Sequence, residues 1–74
     1  MNLDALDAEV RAAQAAGDAG RLMEIYLELG NAELPRDEDA AAFLLVQALV
    51  YGLEAGRPEA KNIHKILKDL GREE

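Results

Sequence analysis

The sequence predicts an all-α fold of four antiparallel helices, which pair into two helical hairpins within a single small domain, residues 1–74. Half of the residues are hydrophobic, and Ala and Leu supply most of these, whereas Val and Ile together number six. Small and unbranched side chains lose little conformational freedom in a helix, so this composition favours helices over sheets. The apolar residues also recur at steps of three and four, the period of a helix with one buried face.

Glycine and proline divide this helical pattern into four segments. A C-cap in the left-handed conformation favours a residue without Cβ, and proline is tolerated near a first helical turn, where Pro35 and Pro58 stand. The glycines that follow helical segments are Gly17, Gly30, Gly56 and Gly71. The short connections make successive helices antiparallel neighbours. The predicted helices are Leu3–Ala16, Ala19–Leu29, Asp37–Ala55 and Pro58–Leu70.

Local signals support each helix in turn. Helix 1 carries Asp7 and Arg11 at the i,i+4 spacing of a stabilising ion pair. Asp18 is the expected N-cap of helix 2. Residues 37–39 at the start of helix 3 are all acidic, which suits the positive end of a helix dipole. The positions expected to pack are Leu3, Leu6, Val10 and Ala13 in helix 1, Leu22, Met23, Ile25, Tyr26 and Leu29 in helix 2, and Ala60, Ile63, Ile66, Leu67 and Leu70 in helix 4.

An internal repeat relates the two hairpins. Aligning the turn glycines Gly17 and Gly56 gives an offset of 39 residues, which lies within the range of helical-hairpin repeats. The segment from Tyr51 to Gly56, followed by residues 58–60, is similar to the Tyr…Gly…Ala run of Sel1-like units. On these residues the chain resembles the tetratricopeptide/Sel1-like superfamily. The apolar positions matched before the two turns are Leu6 with Leu45, Val10 with Leu49, and Ala13 with Gly52.

The resemblance has matches and departures in the individual positions. Leu22 and Tyr26 correspond to the small and aromatic positions of the second helix, and Pro35 lies near the closing proline. Val10 and Leu49 replace small residues of the family, and two repeats are fewer than the roughly three that such arrays need. The resemblance implies tetratricopeptide-like hairpins in a protein-binding module without chemistry of its own. The packing pattern alone leaves a compact four-helix bundle open.

Charge and missing residue types exclude several classes of function. The chain has 8 basic and 15 acidic residues, a formal net charge of −7, which opposes binding to nucleic acid and anionic membranes. Its apolar run, residues 40–53, is too short to span a bilayer. Cys, Ser and Thr are absent, and no phosphate-binding or nucleotide-binding motif is present. We therefore expect a cytoplasmic protein that is not an enzyme, uses no cofactor and does not associate with membranes.

Helix 3 is apolar in almost every direction. Between Ala40 and Leu53 only Gln47 is polar, and a helix that is apolar all round must be buried all round. Two interpretations remain open. In one, helices 1, 2 and 4 wrap helix 3. In the other, part of helix 3 is covered by a partner or a second copy of the chain, a homodimer being the common symmetric solution; the side chains concerned are Phe43, Val46, Val50 and Leu53.

Positive charge is concentrated on helix 4. Residues 1–54 carry 3 basic and 11 acidic groups, a net of −8, whereas residues 55–74 carry 5 and 4, a net of +1. A solvated helix face is one interpretation of this pattern, and a contact with an acidic partner is the other. The stripe has no aromatic side chain for base stacking, which disfavours nucleic acid. The stripe comprises Arg57, Lys61, Lys65, Lys68 and Arg72, with His64 beside it.

Neither His64 nor the acidic cluster at residues 37–39 has the setting of a metal site. His64 has no carboxylate or imidazole three or four residues away on its helix. The acidic cluster lacks the alternating spacing and the turn glycine of a calcium loop. We therefore predict no metal site and no catalytic residue, with His64 on the surface.

The sequence thus favours a small, non-enzymatic protein–protein interaction module that binds a protein or peptide through an apolar surface of helix 3 with a charged rim. The alternative is a regulatory binder of nucleic acid or another polyanion, acting through the basic face of helix 4. Gln47 and Tyr51 are expected as polar members of the apolar groove. The residues expected to contact the partner are Phe43, Val46, Gln47, Val50, Tyr51, Leu53, Lys61, Lys65 and Lys68.

Overall fold

The computed structural model describes residues 3–71, and these residues form four helices and no strand. The prediction of an all-α fold is therefore confirmed. The connections are short, the first consisting of Gly17 and Asp18 alone. Within this part of the chain, no helix combines the length and the apolar character that a membrane crossing requires. The helices are α1 (Leu3–Ala16), α2 (Ala19–Glu33), α3 (Glu38–Glu54) and α4 (Glu59–Asp69).

Most helix ends coincide with the signals in the sequence. The Asp18 carboxylate accepts a hydrogen bond of 3.0 Å from the backbone N–H of Arg21, which caps α2. The Asp37 carboxylate caps α3 in the same way, at 3.1 Å from the backbone nitrogen of Ala40. Gly17 follows α1 with a φ of +66°, and the glycines after α3 and α4 are also left-handed.

Gly30 does not end α2, and this prediction is wrong. Helix α2 continues for another turn to Glu33, and Gly30 lies buried inside it. A Cβ atom at Gly30 would lie 2.8 Å from the Cγ and Cδ2 atoms of Leu45 in α3. The glycine is therefore used for close packing of two helices rather than for a chain reversal.

The core lies where α2 and α4 pack against α3. The most extensive interface joins α2 to α3, so it connects the two predicted hairpins rather than the helices within one of them. Helix α1 packs more sparsely on α2, with Ala13 buried and Leu6 and Val10 half-buried. The Cα atoms span 32 × 28 × 13 Å, which makes the molecule flat. The largest side chains that are fully buried are Met23, Ile25, Leu45, Ile63 and Leu67.

A second close approach occurs at Gly52 near the end of α3. A Cβ atom there would lie 3.2 Å from Sδ of Met23 in α2 and 3.4 Å from Cβ of Ala60 in α4. Gly52 thus lets two helices approach α3 at one level. Together with Gly30, it orients α3 so that one side faces the core.

Replacing Gly30 by Ala should destabilise the fold. The added methyl group overlaps Leu45, whose side chain is fully buried and has no open space into which it can move. Gly20→Ala is the comparison variant in the same helix, because the nearest atom there is Nη1 of Arg57 at 3.0 Å, at the end of a side chain outside the core. Both variants replace a glycine of α2 by alanine, so the difference between them reports mainly on the contact with Leu45. We expect Gly30→Ala to have a lower free energy of unfolding than Gly20→Ala by about 1–3 kcal/mol in urea titrations. Equal stabilities would contradict this account of the α2–α3 contact.

Candidate protein-interaction surface

One face of α3 is apolar and uncovered. The exposed fractions are 65% for Phe43, 52% for Val50 and 66% for Leu53, and Val46 between them is half-buried. These four residues follow one another at steps of three, four and three, so they lie along one side of the helix over about 15 Å. We call Phe43, Val46, Val50 and Leu53 the α3 stripe.

The other side of α3 is buried in the core. Ala41, Leu45 and Ala48 are completely covered, and they recur at helical spacing on the side opposite the stripe. The sequence is apolar all round because α3 has two apolar faces, of which its own chain covers one. Helix α1 packs on α2, and Phe43, Val50 and Leu53 remain exposed.

The two predicted polar members of the groove differ in position, because Gln47 lies one turn after Phe43 beside the stripe, whereas Tyr51 packs against α2. Gln47 and Tyr51 are half-buried. The Tyr51 ring stacks on that of Tyr26 in α2, with centroids 5.8 Å apart and planes 11° from parallel. Tyr51 also borders a separate depression with Gln14 and Glu54. Its ring therefore belongs to the α2–α3 interface, and it does not extend the stripe.

A cleft of about 230 Å³ between α3 and α4 adjoins the stripe. Leu53 contributes to both features, and Lys61 and His64 of α4 form the polar part of the cleft lining. The structure thus brings Lys61 beside the apolar surface. Lys65 and Lys68 are exposed on α4 but do not line this cleft.

Arg57 differs from the other cations of the predicted basic stripe because two carboxylates hold it. Its Nη2 atom lies 2.7 Å from Oε2 of Glu59 and 3.3 Å from Oε2 of Glu24, and its Nε atom donates to Oε1 of Glu59 at 3.2 Å. These hydrogen bonds, that of Glu59 most strongly, raise the pKa of Arg57. The hydrogen bond from Arg57 lowers the pKa of Glu59 in turn. Arg72, the last member of the predicted stripe, lies outside the described residues.

The Arg57 contacts belong to a charge network that sequence reasoning missed. Arg21 of α2 contacts Glu9 of α1 at 3.1 Å and Glu24 at 3.5 Å, so alternating charges run across the surface from α1 to α4. The contact with Glu9 is the main reason that the pKa of Arg21 is raised. Two short-range spacings of this network, Arg21–Glu24 and Arg57–Glu59, are visible in the sequence. The pairing of Arg57 with Glu24, 33 residues away, requires the packing of α2 beside the α3–α4 connection.

Within the described residues, no group of three or more His, Asp or Glu side chains is arranged to hold a metal ion. His64 is exposed at the edge of the cleft. None of the described polar or charged side chains is buried. Comparison with protein-family models, curated proteins and solved structures finds no match to this chain.

The Arg57–Glu59 pair should make stability depend on acid pH. The folded-state pKa of Glu59 is lowered from its ordinary value of 4.5, so the stabilisation from its ionised form is fully present above pH 4.5 and is lost as the pH falls through the lowered pKa. We expect Arg57→Gln to be less stable than the parent chain at pH 7, with the difference shrinking below pH 4.5. Urea unfolding at several pH values measures this. Arg11→Gln removes a more exposed pair and should have little effect at any pH; a difference for Arg57→Gln that did not change with pH would contradict the assignment.

Proposed function

We propose that this chain is a small, non-enzymatic protein–protein interaction module, and that the α3 stripe packs against an apolar face of a partner protein or peptide. The observation that carries the proposal is the exposure of Phe43, Val50 and Leu53 on one side of one helix. Scattered apolar residues on a surface need no explanation, but an aligned set is typical of an interaction site.

The energetics of the stripe support a binding role. Fully covering a large apolar side chain is worth about 1.5–3 kcal/mol relative to leaving it exposed. Phe43 and Leu53 are each about two-thirds exposed, so a partner would remove substantial apolar area from water. The three- and four-residue steps also form a straight seam along α3, which fits a helix of the partner better than a flat surface.

Charge at the edge of the stripe supplies selectivity. Lys61 is exposed and lies beside Leu53 at the cleft, so a partner with an acidic group at this point gains a favourable contact. The resemblance to tetratricopeptide/Sel1-like hairpins, which remains a prediction, implies the same class of function. The absence of buried polar side chains among the described residues also favours binding over catalysis, because catalytic groups are commonly shielded and have strongly shifted pKa values.

The alternative function, polyanion binding through the basic face of α4, is weakened because one cation of that face is already ion-paired. Arg57 is held by Glu24 and Glu59. Among the described residues of the basic stripe, the contact would then depend on Lys61, Lys65 and Lys68 of α4, which are exposed. We therefore favour the apolar mode and treat polyanion binding as the competing outcome of the experiment below.

The test compares immobilised variants for the proteins that they retain from a cell extract. Val50→Glu places a charge in the middle of the stripe at an exposed position, so the helix should form while binding is lost. Asn62→Glu is the matched control, because Asn62 is exposed on α4 and does not line the cleft. We expect the parent chain and Asn62→Glu to retain the same proteins, also at raised salt, and Val50→Glu to release them. Circular dichroism verifies that each variant is helical.

A different result would support the alternative. If retention depended on Lys61 and Lys65, survived Val50→Glu and weakened steeply with rising ionic strength, the basic face of α4 would be the binding surface. That outcome would overturn the proposed role of the stripe.

A further inference from the structure

We propose that the partner of the α3 stripe is a second copy of this chain, with the two α3 helices packed antiparallel along their stripes. This inference rests on the proposed function, because it names the occupant of the same surface. It also specifies a geometry, in which the N-terminal end of α3 in one copy lies beside Lys61 of the other.

The spacing of the stripe residues is suited to pairing with a second helix. Phe43, Val46, Val50 and Leu53 occupy the two apolar positions of two successive heptads, and this pattern lets two helices pack along each other. Phe43, Val50 and Leu53 are exposed, whereas Val46 is half-buried and packs against the core, so three of the four positions are open to another molecule. A two-fold dimer uses the same patch on both copies, so one seam supplies both halves of the interface.

The two ends of the stripe differ in charge, and this difference bears on the direction of pairing. Asp39 stands four residues before Phe43 on the same side of α3, in an acidic first turn, and is exposed. At the other end, Leu53 adjoins Lys61 and His64 of α4 at the cleft, while the exposed Glu54 faces the separate depression beside Gln14 and Tyr51. Asp39 and Leu53 are about 21 Å apart along the helix axis, so the acidic and basic ends are well separated within one copy.

Charge complementarity therefore selects the direction of pairing. In an antiparallel pair, the acidic end of each α3 meets the end of the other copy that carries Lys61, and the two-fold axis makes this contact twice. A parallel pair would place the two acidic ends together and the two lysines together, which is repulsive.

The shape of the single chain is consistent with such a pairing. Its Cα atoms span only 13 Å in the thinnest direction, and α1 adds little to the core. Small domains with a thin core are often completed by oligomerisation. A second copy would cover the apolar face of α3 that its own chain leaves open.

Sedimentation of the full chain over a wide concentration range tests the dimer. We expect the parent chain and Asn62→Glu to pass from monomer to dimer with increasing concentration, and Val50→Glu to remain a monomer throughout. A parent chain that is monomeric up to about 1 mM would overturn the inference, since this limit corresponds to a binding free energy weaker than about −4 kcal/mol. A Val50→Glu variant that dimerises like the parent would also overturn it, because the contact would then lie elsewhere.

Mixing two charge-reversed variants tests the antiparallel geometry. In a dimer of Asp39→Lys, lysine would face Lys61, and in a dimer of Lys61→Glu, glutamate would face Asp39, so each variant alone should dimerise at least about tenfold more weakly, or about 1.4 kcal/mol. The mixture restores opposite charges at both contacts and should form the heterodimer preferentially. A mixture no stronger than either variant alone would rule out this geometry.

Two controls separate the possible failures. Circular dichroism verifies the helicity of each variant, and Asp39→Asn, which removes the charge at the same position, replaces Asp39→Lys if that variant loses helix. If the parent chain is a monomer but binds proteins from the extract that Val50→Glu does not bind, the self-pairing is wrong and the proposed function stands. If the parent chain is a dimer that depends on Val50 and the extract yields no other protein, the second copy is the partner and both proposals stand. If the parent chain is a monomer and Val50→Glu retains the same proteins from the extract as the parent chain, the self-pairing and the proposed function are both wrong.

Discussion

The close contact between α2 and α3 determines the rest of this structure. Gly30 presents bare backbone to Leu45, and Gly52 does the same for Met23, so the two helices meet with fully buried side chains at both levels. Protein interiors are packed as densely as organic crystals, and such a contact therefore fixes the rotation of a helix about its own axis. This rotation decides which apolar residues of α3 enter the core and which face outwards.

Helix α3 is apolar all round because one of its sides packs in the core and the other forms the exposed apolar stripe. Small residues such as Ala41 and Ala48 suit the side that packs closely, whereas Phe43 and Leu53 on the other side are large and exposed. A helix that served only the core would have polar residues on its outer face. Retaining large apolar side chains there is unfavourable for an isolated molecule, and we interpret it as the signature of an interface.

The charged side chains discussed above fall into two groups: arginines that are ion-paired between helices, and lysines that are exposed on α4. Arg21 and Arg57 are held by carboxylates from neighbouring helices, and both contacts include Glu24 of α2. These pairs are partly exposed, so each adds little to stability, but together they link α1, α2 and α4 around one edge of the molecule. The three lysines of α4 are exposed, and of these Lys61 borders the apolar cleft.

The sequence by itself determined the helical content, the position of α1, the caps at Asp18 and Asp37, and the suspicion that α3 was too apolar for its own chain to cover. These are local properties, because capping and helical periodicity act between residues a few positions apart. Tertiary structure decided the role of Gly30, the side of α3 that faces outwards and the pairing of Arg57. Each of these depends on residues distant along the chain, Leu45 against Gly30 or Glu24 against Arg57, and no local pattern records which distant groups will meet.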